Sequence, residues 1–159
     1  MNCNIRPLIS EDEPFLWEML YEALHVSEWQ SAPPREVVRL PEFARYVQGW
    51  GRKGDCGFLA SDAATGRPVG AVWLRFLVGG NKGYGYVDDD TPELSIAVLP
   101  EYRGQGVGTQ LLIHLFASAC GQSSISLSVW ADNSALRLYE RFRFEVVSES
   151  DGSLTMKRS

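Results

Sequence analysis

The hydrophobic patterning of the 159 residues predicts an α+β domain: a twisted, mostly antiparallel mixed sheet of six to seven strands flanked by about four helices. Three observations carry this. Two pairs of short strands read as hairpins, one over 54–79 and one around Asp151-Gly152. Between them lies a single strand–helix–strand unit, from Leu94 to Val129. No series of such units follows that would build a doubly wound parallel sheet.

Residues 4–8 read as the first strand. Ser10-Glu11-Asp12-Glu13 matches a capping box, in which Ser10 accepts from the first-turn amides and Glu13 reaches back. Phe15, Leu16, Met19, Leu20 and Ala23 follow at helical spacing, predicting a helix to about residue 25. Pro33-Pro34 and Pro41 make 26–40 a loop, and a second helix is expected over 41–50 with Phe43, Val47 and Trp50 on one face. Gly57–Ala60 enters a turn at 62–67, and Pro68–Val78 returns as its partner strand. Gly79–Gly83 is a flexible connection, and Leu94–Leu99 is a buried strand ended by Pro100. Val107, Leu111, Leu112, Leu115, Phe116 and Ala119 mark the clearest amphipathic helix, with Gly121 in the helix-ending position. Ile125, Leu127 and Val129 alternate with Ser124, Ser126 and Ser128, a strand with one polar face. A short helix from Asp132-Asn133-Ser134 to Phe142 precedes the last hairpin, Phe144–Ser148 with Leu154–Arg158.

Composition narrows the function. A net charge of −5, with only 3 Lys among 15 basic residues, gives no basic stripe for nucleic acid. No apolar run is long enough for a membrane span, and the opening Met1–Pro7 has no apolar signal core. Cys3, Cys56 and Cys120 form no CxxC pair and read as small buried hydrophobes in a reducing cytosol, so a cytoplasmic location is expected. No linker divides residues 1–159, which are read as one domain, and no His/Cys/Asp cluster has metal-ligand spacing.

The chemistry concentrates in Glu93–Gly108, where a strand runs into a turn carrying Gly104, Gly106 and Gly108 and then directly into the long helix. The first amides of a helix lack intrahelical acceptors, and the dipole places about half a positive charge there. Alternating glycines let a phosphate approach the backbone, and Arg103 adds two donors, so the segment suits a pyrophosphate. It is not a P-loop, because no Lys lies between 83 and 156. Nor is it the dinucleotide fingerprint, whose last glycine would fall on Thr109.

Ala97-Val98-Leu99-Pro100-Glu101-Tyr102-Arg103-Gly104-Gln105-Gly106-Val107-Gly108 resembles the acetyl-CoA-binding motif of the GNAT superfamily of N-acyltransferases. Asn133-Ser134-Ala135-Leu136-Arg137-Leu138-Tyr139-Glu140 resembles the second half of the same pattern, and the element order agrees over the whole chain. The resemblance implies that backbone groups near Ala97 and Val98 pair with the pantetheine arm. It implies that the amides of Arg103, Gly104, Gln105, Gly106, Val107, Gly108 and Thr109 hold the pyrophosphate, and that Asn133 contacts the cofactor arm. Tyr139 stands where the family often has the general acid for the leaving thiolate. One position departs: Arg143 replaces the glycine usual before Phe144, so either Arg143 takes the left-handed conformation or the helix ends differently.

The implied reaction is direct transfer of acetyl from acetyl-CoA to a primary amine within a ternary complex, with no metal. An alkylammonium, with a pKa near 10, attacks only after losing a proton, so a general base is expected. Glu93, at the start of the strand that carries the thioester site, is the first choice. Asp88, Asp89 and Asp90 precede it, and no basic residue lies between Gly83 and Tyr102, an acidic lip suited to a cationic amine on a small molecule or protein. Trp29, in the 26–40 loop, is a candidate substrate wall. The contrasting reading is a CoA-binding sensor or interaction module without catalysis. A homodimer is the default assembly.

Overall fold

In the computed structural model, which describes residues 2–24 and 32–159, seven strands form one sheet in the order β1-β2-β3-β4-β5-β7-β6. The strands are β1 (Cys3–Pro7), β2 (Cys56–Asp62), β3 (Pro68–Arg75), β4 (Glu93–Val98), β5 (Ile125–Trp130), β6 (Glu145–Ser150) and β7 (Ser153–Arg158). The helices are α1 (Glu13–Ala23), α2 (Pro41–Ala44), α3 (Val107–Ala117) and α4 (Leu136–Arg141). Every neighbouring pair is antiparallel except β4–β5. The last hairpin folds back so that β7, not β6, pairs with β5.

Helices cover both faces. On one, Val107, Leu111, Leu112 and Leu115 of α3 pack against Val72, Leu94, Ile125, Leu127 and Met156. On the other, Leu16, Met19 and Leu20 of α1 meet Ala71, Trp73, Ala97 and Leu99. Each fully buried aliphatic side chain contributes roughly 1.5–3 kcal/mol, so these two seams hold the layers together. Among the described residues no helix is long and apolar enough to cross a membrane.

Several local expectations are revised. A single turn of tighter helix, Ser10–Asp12, precedes α1, and the carboxylate that reaches back is Asp12, not Glu13. Asp12 accepts the Ile9 amide at 2.8 Å and both arms of Arg6, which hold its pKa below the ordinary value. Ser10 bonds Glu11 instead. Glu13 is free to bind the Trp50 amide and the Trp17 indole, tying α1 to the segment after α2.

The helix expected over 41–50 stops at Ala44. Beyond it the Tyr46 and Val47 amides bond carbonyls three residues back, Gly49 is left-handed, and Arg75 Nη1 fastens this tightened segment through the carbonyls of Arg45 at 3.1 Å and Gln48 at 2.7 Å. Asp55 takes two more donors of this buried guanidinium, through Nε at 3.1 Å and Nη2 at 2.8 Å. Helix α3 ends at Ala117, and Gly121 closes the following turn because a Cβ there would run into the Leu115 carbonyl. Arg143 does take the left-handed conformation, φ 72°. Its amide bonds the Glu140 carbonyl and the Phe144 amide bonds that of Tyr139, the paired closure that normally uses glycine.

Two cysteines are not simple core hydrophobes. Cys56, opening β2, is disulfide-bonded to Cys120, just beyond α3, with Cα atoms 6.6 Å apart. Because α3 packs over β2, its far end lands on the start of that strand, bringing together residues 64 apart in sequence. The cysteines therefore give no argument for a reducing compartment. Cys3 is unpaired.

Candidate active site

The sheet is split between its only parallel neighbours. β4 and β5 share a single backbone bridge, Glu93 with Ser126, closed by the Ser126 amide on the Pro92 carbonyl at 3.0 Å. Beyond it the two strands part toward their C-terminal ends. Alternation along β4 decides which groups face the opening. The Leu99 amide bonds Val69 on β3, and Ala97 is paired with Ala71, so the intervening residues Ile96 and Val98 turn their amides away from β3 toward the split. The exposed edge thus belongs to Ile96 and Val98, whereas the backbone of Ala97 is spent on β3.

At the mouth of the split stands the start of α3. Gly104 (φ 74°) and Gly106 (φ 86°) are left-handed, and no protein atom lies within 4 Å of where their Cβ atoms would be. The first helical hydrogen bond runs from Gln110 to the Gly106 carbonyl, so the amides of Val107, Gly108 and Thr109 have no acceptor in the helix. An unpaired strand edge beside open, positively polarised amides fits an acetyl-CoA whose pantetheine follows the edge and whose pyrophosphate meets the helix start.

Arg103 differs from the expected phosphate clamp. Its Nε caps the Val98 carbonyl at 3.0 Å, its Nη2 lies 3.3 Å from Glu22 Oε1, and its amide bonds Pro100. The Gln105 side chain turns back to the Glu101 carbonyl. Asn133 Oδ1 accepts the Ala135 amide at 2.8 Å, closing the turn before α4. Tyr139 is 8% exposed, edge-on to Phe144, and its hydroxyl has no hydrogen-bond partner among the described residues. Burial pushes its pKa up to about 12, so it keeps its proton.

The other side of the split's root is made of side chains. Glu93 is 4% exposed, and its Oε2 accepts the Tyr46 hydroxyl at 2.5 Å. Tyr46 Oη accepts the Tyr84 amide at 2.8 Å, and Tyr84 bonds Glu42. Arg75 sits beside Glu93 across the β3–β4 ladder, but four of its five N–H donors go to Asp55, Arg45 and Gln48. Left without a cation, Glu93 is raised from 4.5 to about 7 by burial, against smaller opposing effects of the Tyr46 hydroxyl and the Gly85 amide. Gly83–Tyr86 forms a strap over this root: a Cβ on Gly83 would strike the Glu93 carboxylate and the Tyr46 hydroxyl, and one on Gly85 the β5 backbone at Leu127 and Ser128.

The acidic lip does not converge on Glu93. Asp88 bonds Asp90's amide and the Thr91 hydroxyl, Asp89 accepts the Tyr86 hydroxyl at 2.6 Å, and all three aspartates are exposed. Trp29 lies outside the described residues. Sequence reasoning missed Tyr46, assigned only to a helix, and Ser126, assigned to a polar face but fully buried. The one signal was the Gly83-Tyr84-Gly85-Tyr86 alternation, which marks a close backbone approach.

An open mixed sheet, split between two parallel strands beside a glycine-led helix start, defines an enzyme class that threads a long phosphate-bearing cosubstrate into its sheet. The acetyltransferase (GNAT) family pattern matches residues 17–144, and the chain belongs to that family. It is an acetyl-CoA-dependent N-acetyltransferase. Among curated proteins none matches it in sequence. Among solved structures it is similar to a PaiA N-acetyltransferase from Thermoplasma acidophilum in complex with coenzyme A (18% identity, 100% of this chain and 99% of that one, TM-score 0.67). It is also similar to the ribosomal-protein-S18-alanine N-acetyltransferase from Escherichia coli (21%, 99% and 93%, 0.64). A third is a GNAT superfamily phosphinothricin acetyltransferase from Sinorhizobium meliloti in complex with AcCoA (19%, 99% and 88%, 0.66).

Proposed function

We propose that this acetyltransferase passes acetyl directly to the primary amine of a cationic small molecule or a protein, with Glu93 as the base. The observation that carries this reading is a buried carboxylate at the root of the split, raised to about 7, with one oxygen unpaired. Such a group is basic enough to take a proton from an ammonium held at neutral pH. Acetyl-CoA supplies the activated acetyl group. The edge amides of Ile96 and Val98 lie where a carbonyl oxygen gaining charge needs donors. The amides of Val107, Gly108 and Thr109 hold the pyrophosphate, and Tyr139 keeps the proton that a departing thiolate takes up. Asn133 borders the cofactor arm.

The aspartates at 88–90 add a negative field without touching Glu93, which favours cationic acceptors. The solved relatives whose names state an acceptor act on a ribosomal-protein alanine and on phosphinothricin, so both a protein amine and a small-molecule amine are carried forward. We read residues 1–159 as one catalytic domain, since its single sheet runs from residue 3 to residue 158. A cytoplasmic setting rests on the cosubstrate, and a homodimer remains the default assembly. Free-thiol release from acetyl-CoA is the test, across polyamines, aminoglycosides, amino acids and basic peptides. Release that depends on one amine class fixes the acceptor; stabilisation by acetyl-CoA with no release from any of them removes the catalytic reading.

A further inference from the structure

The two oxygens of Glu93 have unlike surroundings. Oε2 takes the Tyr46 hydroxyl at 2.5 Å. That hydroxyl oxygen already accepts the Tyr84 amide at 2.8 Å, so its single proton is directed at Glu93. Linked in this way, the two hydrogen bonds polarise and strengthen each other. Among the described residues Oε1 has no hydrogen-bond partner, and neither has Ser126 Oγ; both atoms are buried.

Glu93 and Ser126 are the partners of the one β4–β5 bridge, so their side chains rise next to each other on the same face of the sheet. Native interiors seldom leave two such oxygens unfilled, and an ordered water between them is the usual remedy. The neighbours on that face do not supply the missing partner. Arg75, aligned with Glu93 on β3, turns four of its five N–H donors to Asp55, Arg45 and Gln48 and makes no hydrogen bond to Oε1. Lys157, aligned with Ser126 on β7, acts on Asp88. Above, the strap brings Gly83 and Gly85 close, and the Gly85 amide favours the charged carboxylate without completing a hydrogen bond to Oε1.

We propose that Tyr46 and Ser126 are positioning residues for Glu93: Tyr46 locks Oε2, while Ser126 and Oε1 seat one water that relays the amine's proton. This rests on the reading of Glu93 as the base. In the step, an ammonium N–H bond breaks toward the water as one of the water's own protons passes to Oε1. The amine regains its lone pair, the water is unchanged in number, and Glu93 ends neutral. The strap's glycines matter here because a side chain at Gly83 would fall on Oε1 itself.

Three measurements on the whole protein test this. A high-resolution crystal structure is expected to show a water about 2.6–3.2 Å from both Glu93 Oε1 and Ser126 Oγ. An empty gap, or a direct Ser126–Glu93 hydrogen bond, overturns the water seat. Carboxyl carbon-13 titration of Glu93 is expected to move to higher pH in Tyr46→Phe, because a donor to the charged form is gone. The acid limb of kcat/KM moves with it. Replacing Tyr46 by 3-fluorotyrosine keeps the shape and strengthens the donor, so the titration moves the other way, a check that survives if Tyr46→Phe folds poorly. A titration unmoved in both, with rate lost equally at every pH, makes Tyr46 a packing residue and overturns the lock. Ser126→Ala is expected to lose about tenfold or more in kcat, with KM changed far less, as for a weakened proton transfer. Unchanged kcat overturns the role of Ser126. If the wild type acetylates no amine while the water and the shifted titrations are present, the functional reading fails and the arrangement of the carboxylate stands.

Discussion

The two sides of the split sheet are built from different materials. The side we propose for the cosubstrate is main chain: the edge amides of Ile96 and Val98, and the first turn of α3 behind two left-handed glycines. The side we propose for the acceptor is side chain: Glu93, Tyr46 and Ser126, drawn from three distant segments under a glycine strap. A main-chain site depends on backbone shape and tolerates many side chains, so it accommodates one invariant ligand. A side-chain site depends on individual contacts and is where acceptor choice and proton handling reside.

That division is broken most severely at the glycine turn. Gly106→Val forces a β-branched residue to φ 86° and fills the open space over the helix start. Acetyl-CoA affinity measured by calorimetry is expected to fall by about 100-fold or more, on the order of 3 kcal/mol. Undiminished affinity would place the pyrophosphate elsewhere. Glu93→Gln cuts the other side: kcat is expected to fall by about 100-fold, a typical loss for a general base, with acetyl-CoA affinity unchanged.

The same substitution has a stability signature. Folding raises Glu93 from 4.5 to about 7, so the folded state holds a proton that the unfolded chain has released. Glu93's own contribution to stability is full below pH 4.5 and is lost as the pH rises through about 7, by up to about 3 kcal/mol. Relative to Glu93→Gln, denaturant melts at pH 5 and pH 8 should show that decline; parallel curves would mean Glu93 titrates normally.

An effect on stability without one on binding is expected away from both sides. Reducing the Cys56–Cys120 bond frees a 64-residue loop, worth at most about 4 kcal/mol of chain entropy. Cys120→Ser should therefore lower Tm by several degrees while leaving acetyl-CoA affinity alone, and a shift in affinity would couple the far end of α3 to its cradle. Smallest of all, Tyr139→Phe should reduce kcat about tenfold without changing cosubstrate affinity, since only a proton donor is lost. Equal weakening of both would make Tyr139 a packing residue beside Phe144.

How far the sequence could be read follows the same division. The strand order, the long helix and the glycine turn were legible because periodicity and glycine placement are local signals. Arg143 stood out only through the family resemblance, which puts a glycine there, and its left-handed conformation was one of two outcomes left open. Glu93 was legible as a strand-start acid but not as a buried one. Its environment is set by Tyr46, 47 residues away, and by an arginine whose charge is diverted to Asp55. The shortened α2 was hidden for the same reason, because the tightened segment after it is fastened by Arg75 from another strand. Arg103 carried the right chemistry for a phosphate, but the turn directs it to Val98. The disulfide was hidden because only the packing of α3 over β2 brings its halves together.

The lone bridge between β4 and β5 also makes β4 a built-in reporter. Its amides alternate between two fates: Ala97 and Leu99 are locked into β3, while Ile96 and Val98 face the opening. In deuterium-exchange terms the strand is a comb with slow and fast teeth one residue apart. Acetyl-CoA lying along the edge would slow the fast teeth and leave the slow ones as they were. Occupancy could then be read residue by residue from the protein's own backbone, with no label on either ligand and no turnover required.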